Sequence, residues 1–226
     1  LCRVMEKHNC KNIVFSSSAT VYGDPKYLPI DEKHPLSTTN PYGTTKLFIE
    51  QILEDVYKAD NDMNIVILRY FNPVGSDKMH LLGENPNGIP NNLVPYIVKV
   101  ATKKLESLNV FGNDYDTVDG SGVRDYIHVV DLAIGHVKAI EYMKNNKGIL
   151  KVNLGTGKGN SVLELIKKFE KVNKVKIPYK IVERRKGDIA TCYADTKKAK
   201  ELLDFTTTYN IEDMLQDAYL AELNNK

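Results

Sequence analysis

The chain has 226 residues, 42% of them hydrophobic, enough for one large domain or one and a half with a sizeable core. Its 31 basic and 29 acidic residues nearly balance, with a net charge of +2 and no long run of one sign, so nucleic acid and membrane surfaces are not expected partners. Cys2, Cys10 and Cys192 are odd in number and lack C-x-x-C spacing, and the five histidines form no metal-ligand pattern with them. No stretch approaches 18 uninterrupted apolar residues. The expectation is a soluble α/β protein without a metal, its thiols reduced in a cytosol-like compartment.

In chain order, residues 1–9 read as the back half of an amphipathic helix, with Leu1, Val4 and Met5 on one face and neither an initiator Met nor an N-cap before it. The chain is therefore expected to begin inside an element. Residues 12–17 and 64–70 are short apolar strands with a helix between them, a βαβ rhythm that predicts a parallel sheet. Strands of that kind need neighbours on both sides, and none precede Asn12, so a truncated chain is expected. Residues 71–92, rich in Asn, Pro and Gly, read as a long functional connection. Helical periodicity follows over 92–105, with Pro95 in the first turn, then a strand over 107–111 and a polar segment to Arg124. The remainder reads as helix 129–142, strand 150–154, helix 161–172, strand 178–182, and helices 197–203 and 211–223. Residues 155–159, Gly-Thr-Gly-Lys-Gly, imitate a phosphate-cradling loop. They match neither G-x-G-x-x-G nor a Walker sequence, and the reading is a structural strand-to-helix turn.

The chemistry centres on residues 40–46, Asn-Pro-Tyr-Gly-Thr-Thr-Lys. Asn40 suits an N-cap and Pro41 the first helical position, which places Tyr42 and Lys46 one turn apart on one face. Bringing a phenol from a pKa of about 10 to about 7 takes about 4 kcal/mol of preference for the phenolate. One ammonium at contact distance supplies roughly that at an effective dielectric of 20, but side chains one turn apart rarely meet head to head, so a second cation is required. A bare Tyr-x-x-x-Lys is more often an exposed pair on an amphipathic helix, and its neighbours must decide. Ser16, Ser17 and Ser18 end the first strand and Tyr70-Phe71-Asn72-Pro73 ends the second, at the edge where open α/β sheets bind ligands.

The run 16–23, the Tyr42/Lys46 pair, residues 70–73, 91–93, 110–115, 122–129 and 184–188 together resemble the UDP-glucose 4-epimerase family, a branch of the extended short-chain dehydrogenases/reductases. The resemblance covers essentially the whole chain. Missing from it are the family's first strand, its Gly-rich dinucleotide fingerprint and the acidic residue for the adenosine ribose, roughly a hundred residues at about 30 per βαβ unit. It implies the C-terminal part of a Rossmann-type doubly wound parallel sheet plus a smaller α/β substrate-binding domain. Residues 1–72 and about 126–155 would form the partial NAD-binding part, and 73–125 and 156–226 the UDP-sugar-binding part.

The resemblance also implies NAD-dependent interconversion of UDP-glucose and UDP-galactose through a 4-keto sugar. Tyr42 would be the base, with Lys46 on the nicotinamide ribose and Ser18 on the 4-oxygen. Ser16, Ser17, Tyr70 and Phe71 would join Tyr42 and Lys46 in holding the cofactor. Arg124 and Arg185 would clamp the diphosphate, Asn72 and Asn92 donate hydrogen bonds, Phe111 pack on uracil, Leu93 line the site, Asp188 bind a ribose hydroxyl and Thr20 contact the sugar. Related dehydratases place an acid pair after the serine where this chain has Ala19 and Thr20, which disfavours dehydration. Cys192 stands where epimerases confined to non-acetylated sugars carry tyrosine, which leaves room for UDP-GlcNAc and UDP-GalNAc. A cytoplasmic homodimer using the Tyr42 helix is expected. Two alternatives stay open: a catalytically silent sugar-nucleotide-binding module, and an epimerase of another UDP-sugar such as UDP-glucuronate.

Overall fold

The computed structural model describes residues 1–224; positions 225 and 226, the end of the expected UDP-sugar-binding part, lie outside the described residues. The first half runs α1 (Cys2–Lys7), β1 (Asn12–Ser18), a 3-10 turn (Ala19–Tyr22), α2 (Pro41–Ala59), β2 (Asn64–Tyr70), β3 (Asn72–Val74), α3 (Leu93–Ala101) and β4 (Leu108–Phe111). The second half runs β5 (Val123–His128), α4 (Val129–Asn145), β6 (Gly148–Leu154), β7 (Gly159–Ser161), α5 (Val162–Asn173), β8 (Tyr179–Val182), β9 (Thr191–Cys192), α6 (Lys197–Leu203) and α7 (Ile211–Asn224).

The unbroken apolar run of β2 marks a strand covered on both faces, and it forms the middle of a parallel sheet in the order β1-β2-β6. On one face Val66, Leu68, Val152 and Leu154 pack with Ala139 of α4 and with Ala199 and Leu203 of α6. On the other, Ile65 and Ile67 meet Leu53 of α2 and Met5 of α1. Among the described residues β1 pairs with β2 alone, and its Ile13, Val14 and Phe15 are only half buried. Phe48 and Ile52 of α2 and Ile134, Val137 and Ile140 of α4 are exposed beside it.

A second core joins α3, β4, Tyr126 of β5, α5 and α7, through residues such as Ile97, Leu108, Leu165, Phe169 and Leu215. Around it lie a sheet in the order β3-β5-β7, with β9 added to β5, and the parallel pair β4-β8. The chain crosses between the cores where β2 ends: Phe71 N donates to Leu154 O at 3.0 Å, and Asn72 at once enters β3 beside β5.

Three departures from the sequence reading have local causes. Strand β5 lies at the end of what reads as a polar segment, because Arg124 and Asp125 break its apolar pattern and its pairing comes from three different partners. Helix α3 stops at Ala101 instead of continuing to 105, since Lys103 takes a positive φ of 60° and the N–H groups of Lys104 and Leu105 both fold back onto Lys99 O. In α1 only Met5 is buried, while Leu1 and Val4 face outward.

One buried ion pair locks α2 to the sheet. Glu50 of α2 takes Arg69 of β2 in a fork, Nε at 3.0 and 3.2 Å and Nη2 at 2.5 Å, with both side chains essentially inaccessible. Ser17 Oγ donates to the same carboxylate, Arg69 Nη1 donates to Tyr22 Oη at 3.1 Å, and Tyr22 passes its proton toward Asn153 Oδ1 at 2.6 Å. Removing one partner strands the other charge in the core. Glu50→Ala is expected to cost about 3–5 kcal/mol in urea unfolding; a loss below about 1 kcal/mol would show that the fork is dispensable.

Candidate active site

The helix carrying Tyr42 starts as its sequence dictates. Asn40 Oδ1 accepts from Gly43 N at 2.8 Å, and Pro41 occupies the first turn, where a missing N–H costs nothing. Gly43 is required by contact: a Cβ there would lie 2.8 Å from Thr20 O, so only glycine lets this end of α2 touch the 3-10 turn after β1. Tyr42, Lys46 and Glu50 follow at four-residue spacing on one stripe. Glu50 binds Ser17, and Lys46 Nζ donates to Ser16 O at 2.9 Å, so two successive residues of β1 hold the stripe in register.

Tyr42 is 53% exposed, with the Lys46 ammonium 5.5 Å from its ring centroid. Partial burial, and after it the neighbouring Tyr70, push the phenol above its ordinary range, while the nearby Ser18 hydroxyl pulls it down. Ser18 Oγ already accepts from Thr20 N at 3.2 Å and from Thr20 Oγ1 at 3.0 Å. A hydroxyl has two acceptor positions and one proton, so the Ser18 proton stays available to an oxygen near Tyr42. Ser16 Oγ meets His136 Nε2 at 3.1 Å, and His136 Nδ1 faces Leu132 O at 2.9 Å. The carbonyl requires the proton on Nδ1, so Nε2 accepts from Ser16. Sequence reasoning did not single out His136, whose only sign was a histidine within the α4 pattern.

Next to this edge lies a cavity of about 370 Å³. Asn72, Asn92, Leu93, Phe111, Arg124, Arg185 and Asp188 all line it. The N-terminus of α3 opens onto it without a side-chain cap, and the Leu93 and Val94 N–H groups have no partner within the helix, an arrangement that favours an anion. Arg124 Nη1 donates to Val123 O at 2.9 Å and to Ala190 O at 3.4 Å. The Arg185 guanidinium lies 4.3 Å over the Phe111 ring, and its Nε reaches Asp188 at 3.3 Å. Asn72 Nδ2 donates to Asp125 O at 2.7 Å, and Asn92 Nδ2 donates to Glu84 at 3.0 Å.

Four of the residues singled out from the sequence have side chains that are buried or already bonded. Ser17 is fully buried with its hydroxyl on Glu50, and Thr20 is spent on Ser18. Phe71 and Cys192 pack together with Ala19 and Ala194 behind the strand ends, outside the cavity lining. Burial pushes the Cys192 thiol up to about 12, so it is a neutral, unreactive side chain. Tyr115 is a cavity residue that sequence reasoning named only within a motif. It is 7% exposed, its hydroxyl has no partner among the described residues, and Arg184 lies 4.0 Å over its ring.

The glycine-bearing loop after β6 is a structural turn, as its spacing implied. Its N–H groups at Thr156 and Gly157 bind the Asp125 carboxylate. Among the described residues no cluster of three His, Cys, Asp or Glu side chains has metal-binding geometry, and no helix is long and apolar enough to cross a membrane.

The chain is similar to known proteins along its whole length. The family model described as GDP-mannose 4,6 dehydratase matches residues 1–218. UDP-glucose 4-epimerase of Bacillus subtilis (strain 168) is 57% identical over 225 residues, covering 100% of this chain and 66% of that protein. The Pasteurella multocida (strain Pm70) UDP-glucose 4-epimerase is 58% identical over 226 residues, covering 100% and 67%. The crystal structure of UDP-glucose 4-epimerase from Bifidobacterium longum in complex with NAD+ and UDP matches with a TM-score of 0.96 and 57% identity, covering 100% of this chain and 67% of that one. The chain spans about two thirds of the length of the curated relatives it matches. With a Rossmann-type parallel sheet, a substrate-side α/β layer and relatives of this identity along its whole length, the chain belongs to the UDP-glucose 4-epimerase family of extended short-chain dehydrogenases/reductases.

Proposed function

We propose that this chain carries the proton-transfer residues and the UDP-sugar site for NAD-dependent interconversion of UDP-glucose and UDP-galactose at C4. The observation that carries the reading is one continuous edge: Ser18 ends β1, Tyr42 and Lys46 stand beside it on α2, and the next residue but one after Tyr70 at the end of β2 opens the arginine-lined cavity. The donor set at the strand ends fits a nicotinamide ribose, because Lys46 uses one of its three N–H groups on Ser16 O and keeps two for hydroxyls. NAD+, when bound, supplies the hydride acceptor for C4 and a second positive charge near the phenol.

Tyr42 takes the 4-hydroxyl proton and later returns it, with Ser18 donating to the same oxygen. A unit charge at the 5.5 Å that separates the Lys46 ammonium from the Tyr42 ring centroid contributes about 3 kcal/mol at an effective dielectric of 20, and less for a half-exposed ring. That falls short of the shift a base at neutral pH needs, hence the second cation. The keto sugar has to present its other face without escaping, so it is held away from the reacting carbon. Arg124 and Arg185 do this at the diphosphate, with the α3 N-terminus and Asn72 and Asn92 beside them, Phe111 against uracil and Asp188 on the ribose. Tyr115 lies near Asp188 and brings a free hydroxyl to the same end. The division into residues 1–72 with 126–155, and 73–125 with 156–226, is part of this proposal and is supported by the two cores, although α6 packs on the first sheet. Exposed Phe48, Ile49 and Ile52 on α2 support a homodimer, and three unpaired cysteines support a cytoplasmic setting.

The deciding experiment follows UDP-galactose to UDP-glucose with and without added NAD+. Turnover that falls about 10²–10⁴-fold in Tyr42→Phe, with UDP affinity unchanged, supports the assignment. UDP binding with no turnover even when NAD+ is added would favour a binding module instead. The raised phenol gives a second expectation. Without nucleotide, partial burial holds the Tyr42 phenol above its ordinary range, which an ultraviolet difference titration against Tyr42→Phe reads directly. NAD+ is expected to move that midpoint down, and an unmoved midpoint contradicts the second-cation argument. The family resemblance places Cys192 where a side chain's size would decide access of an N-acetyl group, and its small thiol supports turnover of UDP-GlcNAc and UDP-GalNAc. Cys192→Tyr should lower that activity relative to UDP-galactose; an unchanged ratio rejects the pocket argument.

A further inference from the structure

We propose that Asp125 is a positioning residue for nucleotide binding, an internal anion that fills the glycine-bearing turn after β6 and thereby fixes Arg124 at the cavity wall. This deepens the reading of the Arg124 cavity given above and rests on it. Asp125 is fully buried, and its four partners are neutral donors. Oδ1 accepts from Thr156 N at 2.9 Å and Thr156 Oγ1 at 2.5 Å; Oδ2 accepts from Gly157 N at 2.9 Å and Ala194 N at 3.1 Å. A Cβ on Gly155 would lie 2.6 Å from Oδ2, so the turn closes on the carboxylate as such turns close on a phosphate.

The site specifies a carboxylate. Oδ2 faces two backbone N–H groups and Oδ1 one N–H and a hydroxyl, so an asparagine in either orientation would set its NH2 against at least one N–H that can only donate. Neighbouring strand residues point to opposite faces, which puts Asp125 behind β5 and Arg124 in front of it. The coupling runs through β9, only two residues long and paired with β5 at Val123↔Thr191 and Arg124↔Cys192. Asp125 holds the chain just past β9 at Ala194 N. Just before β9, Ala190 O accepts from Val123 N at 2.8 Å and from Arg124 Nη1 at 3.4 Å. The Asp125 carbonyl meanwhile accepts from Asn72 Nδ2 at 2.7 Å, so two cavity side chains take their positions from the same residue.

The test measures UDP affinity by calorimetry and thermal midpoint side by side. Asp125→Asn is expected to weaken UDP binding about tenfold or more, and Thr156→Val, which removes a single bond to Oδ1, about two- to fivefold. Leu203→Ala, in the core under α6, lowers the melting midpoint without changing UDP affinity beyond about twofold. Formate added to Asp125→Ala restores affinity, whereas formate added to Arg124→Ala does not. Wild-type affinity in Asp125→Asn, or affinity that tracks the melting midpoint across all variants including Leu203→Ala, overturns the inference. If Asp125→Asn does not fold, unchanged UDP affinity in Thr156→Val overturns it in the same way. Absence of UDP binding by the wild-type chain, or its survival in Arg124→Ala, overturns the reading of the cavity itself and the inference with it.

Discussion

The arrangement of the reacting groups depends on a charge pair that never meets solvent. Glu50 and Arg69 bind helix to strand through a bidentate fork inside the first core. Apolar side chains of similar volume would hold these elements together at least as well, since desolvation offsets most of the attraction in a buried pair. What a fork adds is register. An apolar face tolerates sliding by a fraction of a turn, whereas a guanidinium and a carboxylate satisfy each other in only one alignment. Because Tyr42, Lys46 and Glu50 share one stripe, fixing Glu50 against β2 and Ser17 also fixes the phenol relative to the end of β1.

The two ends of the site are built with different stiffness. At the reacting end, positions come from a parallel sheet and from α2 pinned to it. At the anchoring end, they come from short strands, the start of α3 and the 184–188 segment, where Arg185 rests on Phe111 and Asp188 instead of on a regular element. The junction is the step from Tyr70 to Asn72, where the chain leaves one sheet and joins the other.

Much of this was legible in the residues because the signals were local. The apolar run over 64–70, the Asn-Pro start of α2 and the Ser161/Glu164 capping box of α5 each specify their element without outside help. The spacing of Tyr42 and Lys46 carried over directly to a shared helix face. Strand β5 was not legible, since Arg124 and Asp125 disrupt its pattern and its three partners lie 50 or more residues before it or 30 or more after it in the chain. The Glu50–Arg69 fork was hidden for the same reason: a glutamate in a helix and an arginine in a strand look like ordinary solvated charges until tertiary packing closes over them. Ser17 and Phe71 show the converse, side chains adjacent to reacting groups in sequence that alternation turns inward.

The half-buried edge of β1 has a consequence for how the sheet is completed. A row of backbone donors and acceptors flanked by Phe48 and Ile52 on one side and by Ile134 and Val137 on the other is a template for another strand.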